Sequence, residues 1–388
     1  MIKLLDRWRK KPETRAAPTS WDLLQQGTLG YPYVHTQHLV ENLSSVSACV
    51  SLISSSIASL PAYIFRNEGN VRVALPDHPL QVLIDTGVNE RQSWFDFVQS
   101  LLADTLLNGN SLAPISRDTR GQVTRLEFAP WRTVSPQLLN SGRLRFDVVP
   151  VVPGGMPKRY LDGEVLHLRD RSDDSYLGRS RLSRAAETVS LALGMAHFST
   201  RLYANGVHPS GVLETPAQLG ENAMKNLRET FTAWQSGPSK AGKFLLLDSG
   251  MSWKQLSINP DDAELLASRK FSVEELARLF DVPPPIIGHL ENATLANVES
   301  LLRILLNLCL APWCTRIEQT FKRSVLVEPN VSIELDTSGF LKGDVLSRWQ
   351  AHQIALTTQT LVPNEVRQME GWNPRQGGDV PLRLPGQV

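Results

Sequence analysis

The chain has 388 residues, 41% hydrophobic and 20% charged, with 40 Lys and Arg against 39 Asp and Glu. That apolar share excludes a disordered chain, a fibrous repeat and a coiled-coil rod, and predicts two or three subdomains around an ample core. A net charge of +1 excludes a strongly basic nucleic-acid binder, whose affinity grows with every phosphate neutralised.

Residues 1–40 carry Lys3, Arg7, Arg9, Lys10, Lys11 and Arg15 and no periodicity, which predicts a flexible, solvated arm. This start lacks the apolar stretch of a signal peptide. Val46, Val50, Ile53 and Ile57 recur at helical spacing before Pro61, so a helix is expected over 44–60. Residues 63–65 and 71–73 flank Asn67-Glu68-Gly69-Asn70, a hairpin signal. A helix over 92–108 and strands over 111–116 and 123–128 follow, and up to Asp170 the pattern is that of an α+β domain.

One long helix is expected over 180–205, closed by Asn205-Gly206. Leu182, Ala186, Val189, Leu193 and Ala196 follow a 4-3-4-3 spacing, the seam of a helix lying along another over roughly 39 Å. A compact insert comes next: a strand (211–214), a helix (221–234), a glycine loop (237–242) and strands over 244–247 and 253–257. A second long helix starts at Asp261-Asp262, where acidic residues suit a helix N-terminus, and stops before Val282-Pro283-Pro284-Pro285. These prolines predict an extended exit. A third long helix runs over 295–325, with Pro312 predicting a kink. The tail holds a strand (331–335) and helices over 343–358 and 364–369.

No enzyme motif survives inspection. Gly237-Pro-Ser-Lys-Ala-Gly242-Lys243 satisfies half of a phosphate-binding loop, but that motif needs a strand before it and a helix after it. Here the order is reversed, and Phe244 stands where a magnesium-binding Ser or Thr belongs. A glycine turn is the better reading, with a nucleotide hydrolase as the remote alternative. The eight His form no metal motif; His167 and His197 are expected to be packed or hydrogen-bonded. Cys309 and Cys314 are expected in the core, and with Cys49 cannot build a disulfide framework, which suits a reducing compartment. The longest apolar stretch, 301–313, contains Arg303, Asn307 and Pro312 and is too short to span a bilayer. Asp173-Asp174 and Asp261-Asp262 lack the spaced partners of a nuclease metal site, so loop and capping roles suffice. No catalytic residue, metal or cofactor is expected. Arg179, Arg181, Arg184, Arg201, Arg269, Lys270 and Arg278 lie at the ends of the long helices and read singly as solvated charges.

Seven segments, in order, resemble recurring signatures of the portal proteins of tailed bacteriophages, in their short-chain branch. They are Ile57-Ala-Ser-Leu-Pro61, His78-Pro-Leu80, Asn108-Gly-Asn110, Gly178-Arg-Ser-Arg-Leu182, Asn205-Gly-Val-His-Pro-Ser-Gly-Val-Leu213, Asp281-Val-Pro-Pro284 with Gly288, and Pro363-Asn-Glu-Val-Arg367 with Gly371 and Gly377-Gly-Asp379. Arg181 departs from the family, which commonly has Pro there; only the start of the helix should be affected.

The resemblance implies an α+β portal fold assembled as a ring of about twelve subunits at one capsid vertex, through which DNA is packaged and ejected. Its parts would be an arm (1–40), a wing (41–178), a stem helix (179–206), an α/β clip (207–260), a second stem helix (261–282), a tunnel loop (283–293), a long wing helix with a return strand (294–336) and a small helical crown with the C-terminal tail (337–388). Channel candidates are Pro284, Ile287, Gly288, His289, Leu290, Asn292, Arg269 and Lys270. Clip candidates for docking the motor or adaptor are Trp234, Ser239, Lys240 and Lys243. Implied partners are further copies of the chain, double-stranded DNA, the terminase large subunit, a head-tail adaptor, and the major capsid or scaffolding protein, with no membrane. The implied location is the virion vertex, after assembly in the host cytoplasm. An adaptor or minor capsid protein is the alternative within structural phage proteins. Near-neutral charge suits a channel that must let a duplex slide.

Overall fold

The computed structural model describes residues 40–69, 71–151, 155–204, 211–214, 224–225, 252–255, 262–288, 295–326, 328–337 and 345–381. Helix α1 (Ser44–Ala58) buries its periodic Val46, Val50, Ile53 and Ile57, together with Cys49. Helix α2 (Pro79–Thr86) starts on Pro79, with His78 Nδ1 accepting from Leu80 N at 3.2 Å. Helix α3 (Trp94–Asn108) packs on α1 and buries Phe97, Val98, Leu101, Leu102 and Leu106. Ser93 and Asp96 form a reciprocal capping box at its start, and Gly109, at φ +79°, ends it in the left-handed region that glycine adopts freely.

Strand β1 (Ala62–Glu68) lies between β2 (Val71–Ala74) and β11 (Val331–Leu335), all antiparallel, with Ala62 opposite Leu335. The strand expected over 331–335 thus closes back onto the first wing sheet. A second sheet has the order β4-β3-β8, from Val123–Leu126, Asn110–Arg117 and Val165–Arg169; it sets Asn110 opposite Arg169. The third, β5-β6-β7 (Val134–Leu138, Leu144–Val148, Lys158–Leu161), carries a smaller core around Phe146 and Val165.

The long helix expected over 180–205 is not continuous. Helix α4 (Arg181–Arg184) ends at Ala185, which leaves helical geometry at φ −110°, ψ 39°, and α5 (Ala186–Ala204) follows. After the break Ala186 is exposed; of the expected seam Leu182, Val189 and Leu193 are buried and Ala196 is half-buried, with Ala192 buried beside them. Helix α5 packs against α6 (Asp262–Leu279). His197, expected to be packed, is exposed on α5. Of the insert, strands β9 (Gly211–Glu214) and β10 (Ser252–Gln255) pair antiparallel, with Leu213 opposite Trp253. The helix expected over 221–234 and the glycine loop and strand at 237–247 lie outside the described residues, apart from a helical Met224-Lys225.

The third long helix is α7 (Leu295–Ile304), a π-helical stretch Leu305–Leu310 and α8 (Ala311–Ser324). Pro312 lacks an N–H, and its ring collides with the carbonyl four residues back; the wider π turn directly before it accommodates both. Cys309, Trp313, Cys314, Ile317 and Phe321 enter the main core, and burial pushes both thiols up to about 12. Helices α9 (Val345–Thr357) and α10 (Pro363–Met369) follow in the tail.

Candidate functional site

The sheets meet the root of the long helices where Asn108-Gly109-Asn110 crosses Gly178-Arg179-Ser180. Asn110 Nδ2 donates to the Gly178 carbonyl at 2.7 Å, Gly178 N donates to Asn110 Oδ1 at 2.8 Å, and Asp170 N donates to the Gly109 carbonyl at 2.9 Å. His167 Nε2 lies 3.1 Å from the same Asn110 Oδ1 and therefore carries the ring proton as donor. The imidazole is stacked on Trp131 and met edge-on by Phe146. Burial pushes its pKa down to about 3, with Arg169 and Arg323 adding to the shift, so it is neutral.

Asp170, with a side chain only 4% exposed, is the junction's buried charge. Its Oδ1 accepts from Arg316 Nη1 at 3.1 Å and from Arg171 N at 2.7 Å, and its Oδ2 from Arg181 Nε at 3.4 Å. A carboxylate removed from water needs such partners. Arg316 also donates to the Arg169 carbonyl at 2.7 Å and lies over the Trp313 ring. The junction therefore ties β8, α8 and the start of the first stem helix.

Arg181 continues the tie. Ser180 caps its helix, with Oγ accepting from Ser183 N at 3.1 Å. Arg181 Nη1 then reaches the end of α6, 3.2 Å from the Leu279 carbonyl and 2.5 Å from Asp281 Oδ2. A cation at a helix C-terminus meets the last unpaired carbonyls and the negative end of the dipole. Arg184 donates to the Arg171 carbonyl at 2.7 Å and pairs with Asp173 at 2.9 Å. Arg179 lies 3.6 Å from the same Asp173. Arg181 and Arg184 are structural ties and not the solvated charges expected, whereas Arg179 stays partly exposed; the departure at Arg181 reaches far beyond the start of its helix. Asp173 is held below the usual carboxylate range chiefly by its hydrogen bond from Arg184. Asp174 accepts from Tyr176 N, Leu177 N and Ser172 Oγ, the loop role foreseen for it.

The C-terminal segment has a second such latch. Asn364 Oδ1 accepts from Arg375 N at 2.9 Å, and its Nδ2 donates to the Arg375 carbonyl at 3.0 Å and to Asp379 Oδ1 at 2.8 Å. Asn364 N donates to the Gly378 carbonyl at 2.9 Å. The Asn-Glu and Gly-Gly-Asp segments thus bind each other.

The chain leaves α6 through buried Phe280 and Val282, with Asp281 between them at φ +59°. Only Pro283 is extended; Pro284–Ile287 is a 3-10 turn, more compact than the expected exit, because Ile286 and Ile287 pack partly against the main core. Pro284 and Ile287 are half-buried, and Gly288, at φ +96°, is exposed. Lys270 is half-buried on α6. Arg269 lies on α6 with its side chain outside the described residues, as are His289, Leu290, Asn292, Trp234, Ser239, Lys240 and Lys243. The structure brings none of the described channel candidates into the junction. Conversely, Asp170, Arg316 and Asn110 were not singled out as site residues; the available signal was the pair of glycines, Gly109 and Gly178, flanking polar residues. Among the described residues, no group of His, Cys, Asp and Glu could hold a metal ion.

The chain resembles known proteins over most of its length. The portal protein of Enterobacteria phage HK97 is 28% identical over 369 residues, spanning 92% of this chain and 85% of its own length. A crystal structure of an HK97-family portal protein from Corynebacterium diphtheriae superposes with a TM-score of 0.59 at 19% identity, over 80% of this chain and 99% of that one. The neck of a native gene transfer agent particle, computed with C12 symmetry, gives a TM-score of 0.56 at 21% identity, over 86% and 91% of the two chains. The family profile for phage portal proteins matches residues 44–371, so the chain belongs to the phage portal protein family.

Proposed function

We propose that this chain is the head-tail connector subunit, forming a ring at one capsid vertex through which DNA is packaged and ejected. The family match across wing, stem and crown carries the reading. The stem adds a physical reason for assembly. Leu191 and Phe198, seven residues apart on one face of α5, are 55% and 50% exposed, and Phe271 on α6 is 54% exposed. Leu302, Ile304 and Leu308 present more apolar surface on α7 and the π stretch. Neighbouring copies would cover these faces, head to tail around a cyclic axis.

Double-stranded DNA would pass without sequence reading, since a near-neutral chain neutralises few phosphates. The residues from Pro283 to 293 would approach it most closely, and the insert would meet the terminase large subunit and the adaptor through Trp234, Ser239, Lys240 and Lys243. The wing would face the capsid or scaffolding protein. Assembly would take place in the host cytoplasm before DNA enters the shell. No catalytic role is assigned to the chain. End-on electron-microscope averages of the purified protein test the reading: closed rings with an open centre are expected, and filaments or compact monomers would contradict it.

A further inference from the structure

Arg181 is anchored from the wing side before it touches the second stem helix. Its Nε meets Asp170, itself fixed by Arg316 and by Arg171 N, and its guanidinium lies 5.7 Å from the Trp313 ring. The free end of the fork then does two things with one nitrogen. It satisfies the Leu279 carbonyl, and it pairs with Asp281, a non-glycine residue held at φ +59° between two buried side chains. Those contacts lie 98 and 100 residues away along the chain, and no local signal calls for them.

We propose that Arg181 is a positioning residue for the channel: it caps the C-terminus of the second stem helix from the first and thereby fixes both helices, and the direction in which the chain leaves α6, against the wing. This rests on the reading of α5 and α6 as stem helices of a ring. Lysine cannot reproduce it, because a point charge does not engage Asp170 on one side and the helix end on the other as a planar fork does. Proline would suit the first position of a helix but would leave the Leu279 carbonyl and Asp281 without their donor.

Amide hydrogen exchange on the full-length protein tests the claim. The amides of Phe280, Asp281 and Val282 close the end of α6 by donating to the carbonyls of Ala277, Arg278 and Ala277. In Arg181→Met they should exchange about ten-fold faster or more, while Leu112 and Ala113 in the wing sheet keep their wild-type rates. Arg181→Pro should behave like Arg181→Met, and Arg181→Lys should fall between. Asp281→Asn keeps a residue that tolerates the left-handed region and removes only the charge, so it should accelerate the same three amides by a smaller factor. It also serves if Arg181→Met does not fold. Unchanged exchange at these amides, or an equal acceleration throughout the chain, would overturn the proposal. The mass of the wild-type particle is a separate result: a monomer would remove the ring reading while leaving the exchange pattern to decide the role of Arg181.

Discussion

Gly178 passes so close to Gly109 that a methyl group built on it would sit 2.0 Å from the Gly109 carbonyl oxygen and 2.8 Å from Asp170 N. Both neighbours are backbone, so neither can swing aside. Gly178→Ala should force β3 and the stem root apart and cost about 3 kcal/mol, read as a fall in thermal midpoint and in yield of folded protein. Gly163→Ala, where an added methyl meets nothing within 4 Å, is the control and should be near neutral. Equal behaviour of the two would contradict the close crossing.

Acid should loosen the wing through His167. Its folded pKa, about 3, lies below the ordinary 6.5 because burial disfavours the charged ring. The contribution is therefore fully present above pH 6.5 and lost as pH falls from there toward 3, at up to about 1.4 kcal/mol per unit. His167→Gln can still donate to Asn110 but cannot titrate. It should lower stability at pH 7.5 by about 1 kcal/mol through the lost stacking and flatten the thermal midpoint between pH 6.5 and 4. An unchanged acid slope in the variant would contradict this.

Asp104 has the opposite sign. Burial raises its pKa to about 6, against lowering by the hydrogen bond from Trp131 N at 2.7 Å and by Asn108. The folded chain therefore holds this proton more tightly than the unfolded one. Stability gained below the unfolded value is lost as pH rises through about 6, and at pH 8 the carboxylate is a standing cost. Asp104→Asn keeps an acceptor for Trp131 N. After the Asn108 amide turns, its Nδ2 can donate to Asn108 Oδ1, a buried oxygen without a partner. We expect about 1–2 kcal/mol of stabilisation at pH 8, shrinking below pH 5. Destabilisation at pH 8 would show that the charge is needed.

In the crown, Asn364→Ala removes three side-chain hydrogen bonds that hold Arg375 and Asp379. The loss is about 1–3 kcal/mol, confined to the segment after α10. Limited trypsin digestion should cut after Arg375 in the variant long before the wild type, with the wing untouched. A wild-type digestion pattern would contradict the latch.

What could be foreseen followed from local rules. The buried face of α1, the β11 strand and the core placement of Cys309 and Cys314 are set by periodicity and polarity alone. The break at Ala185 is a local departure, and the π turn precedes Pro312, whose missing N–H it accommodates. The junction was not legible in the same way. Arg181 meets Asp281 only because two distant helices converge, and an arginine read along the chain looks like any solvated charge. Glycine at 109 and 178 is compatible with a close crossing, but only the fold shows that each crosses the other.

The central claim is that the exposed apolar faces of α5, α6 and α7 close the chain into a ring. Native mass measurement of the purified protein tests it most directly. The account predicts a particle near twelve times 43.2 kDa, with closed rings of neighbouring count also in agreement, and predicts that Leu191→Glu with Phe198→Glu releases folded monomers. A wild-type protein that stays at 43.2 kDa at high concentration and across salt conditions would contradict it.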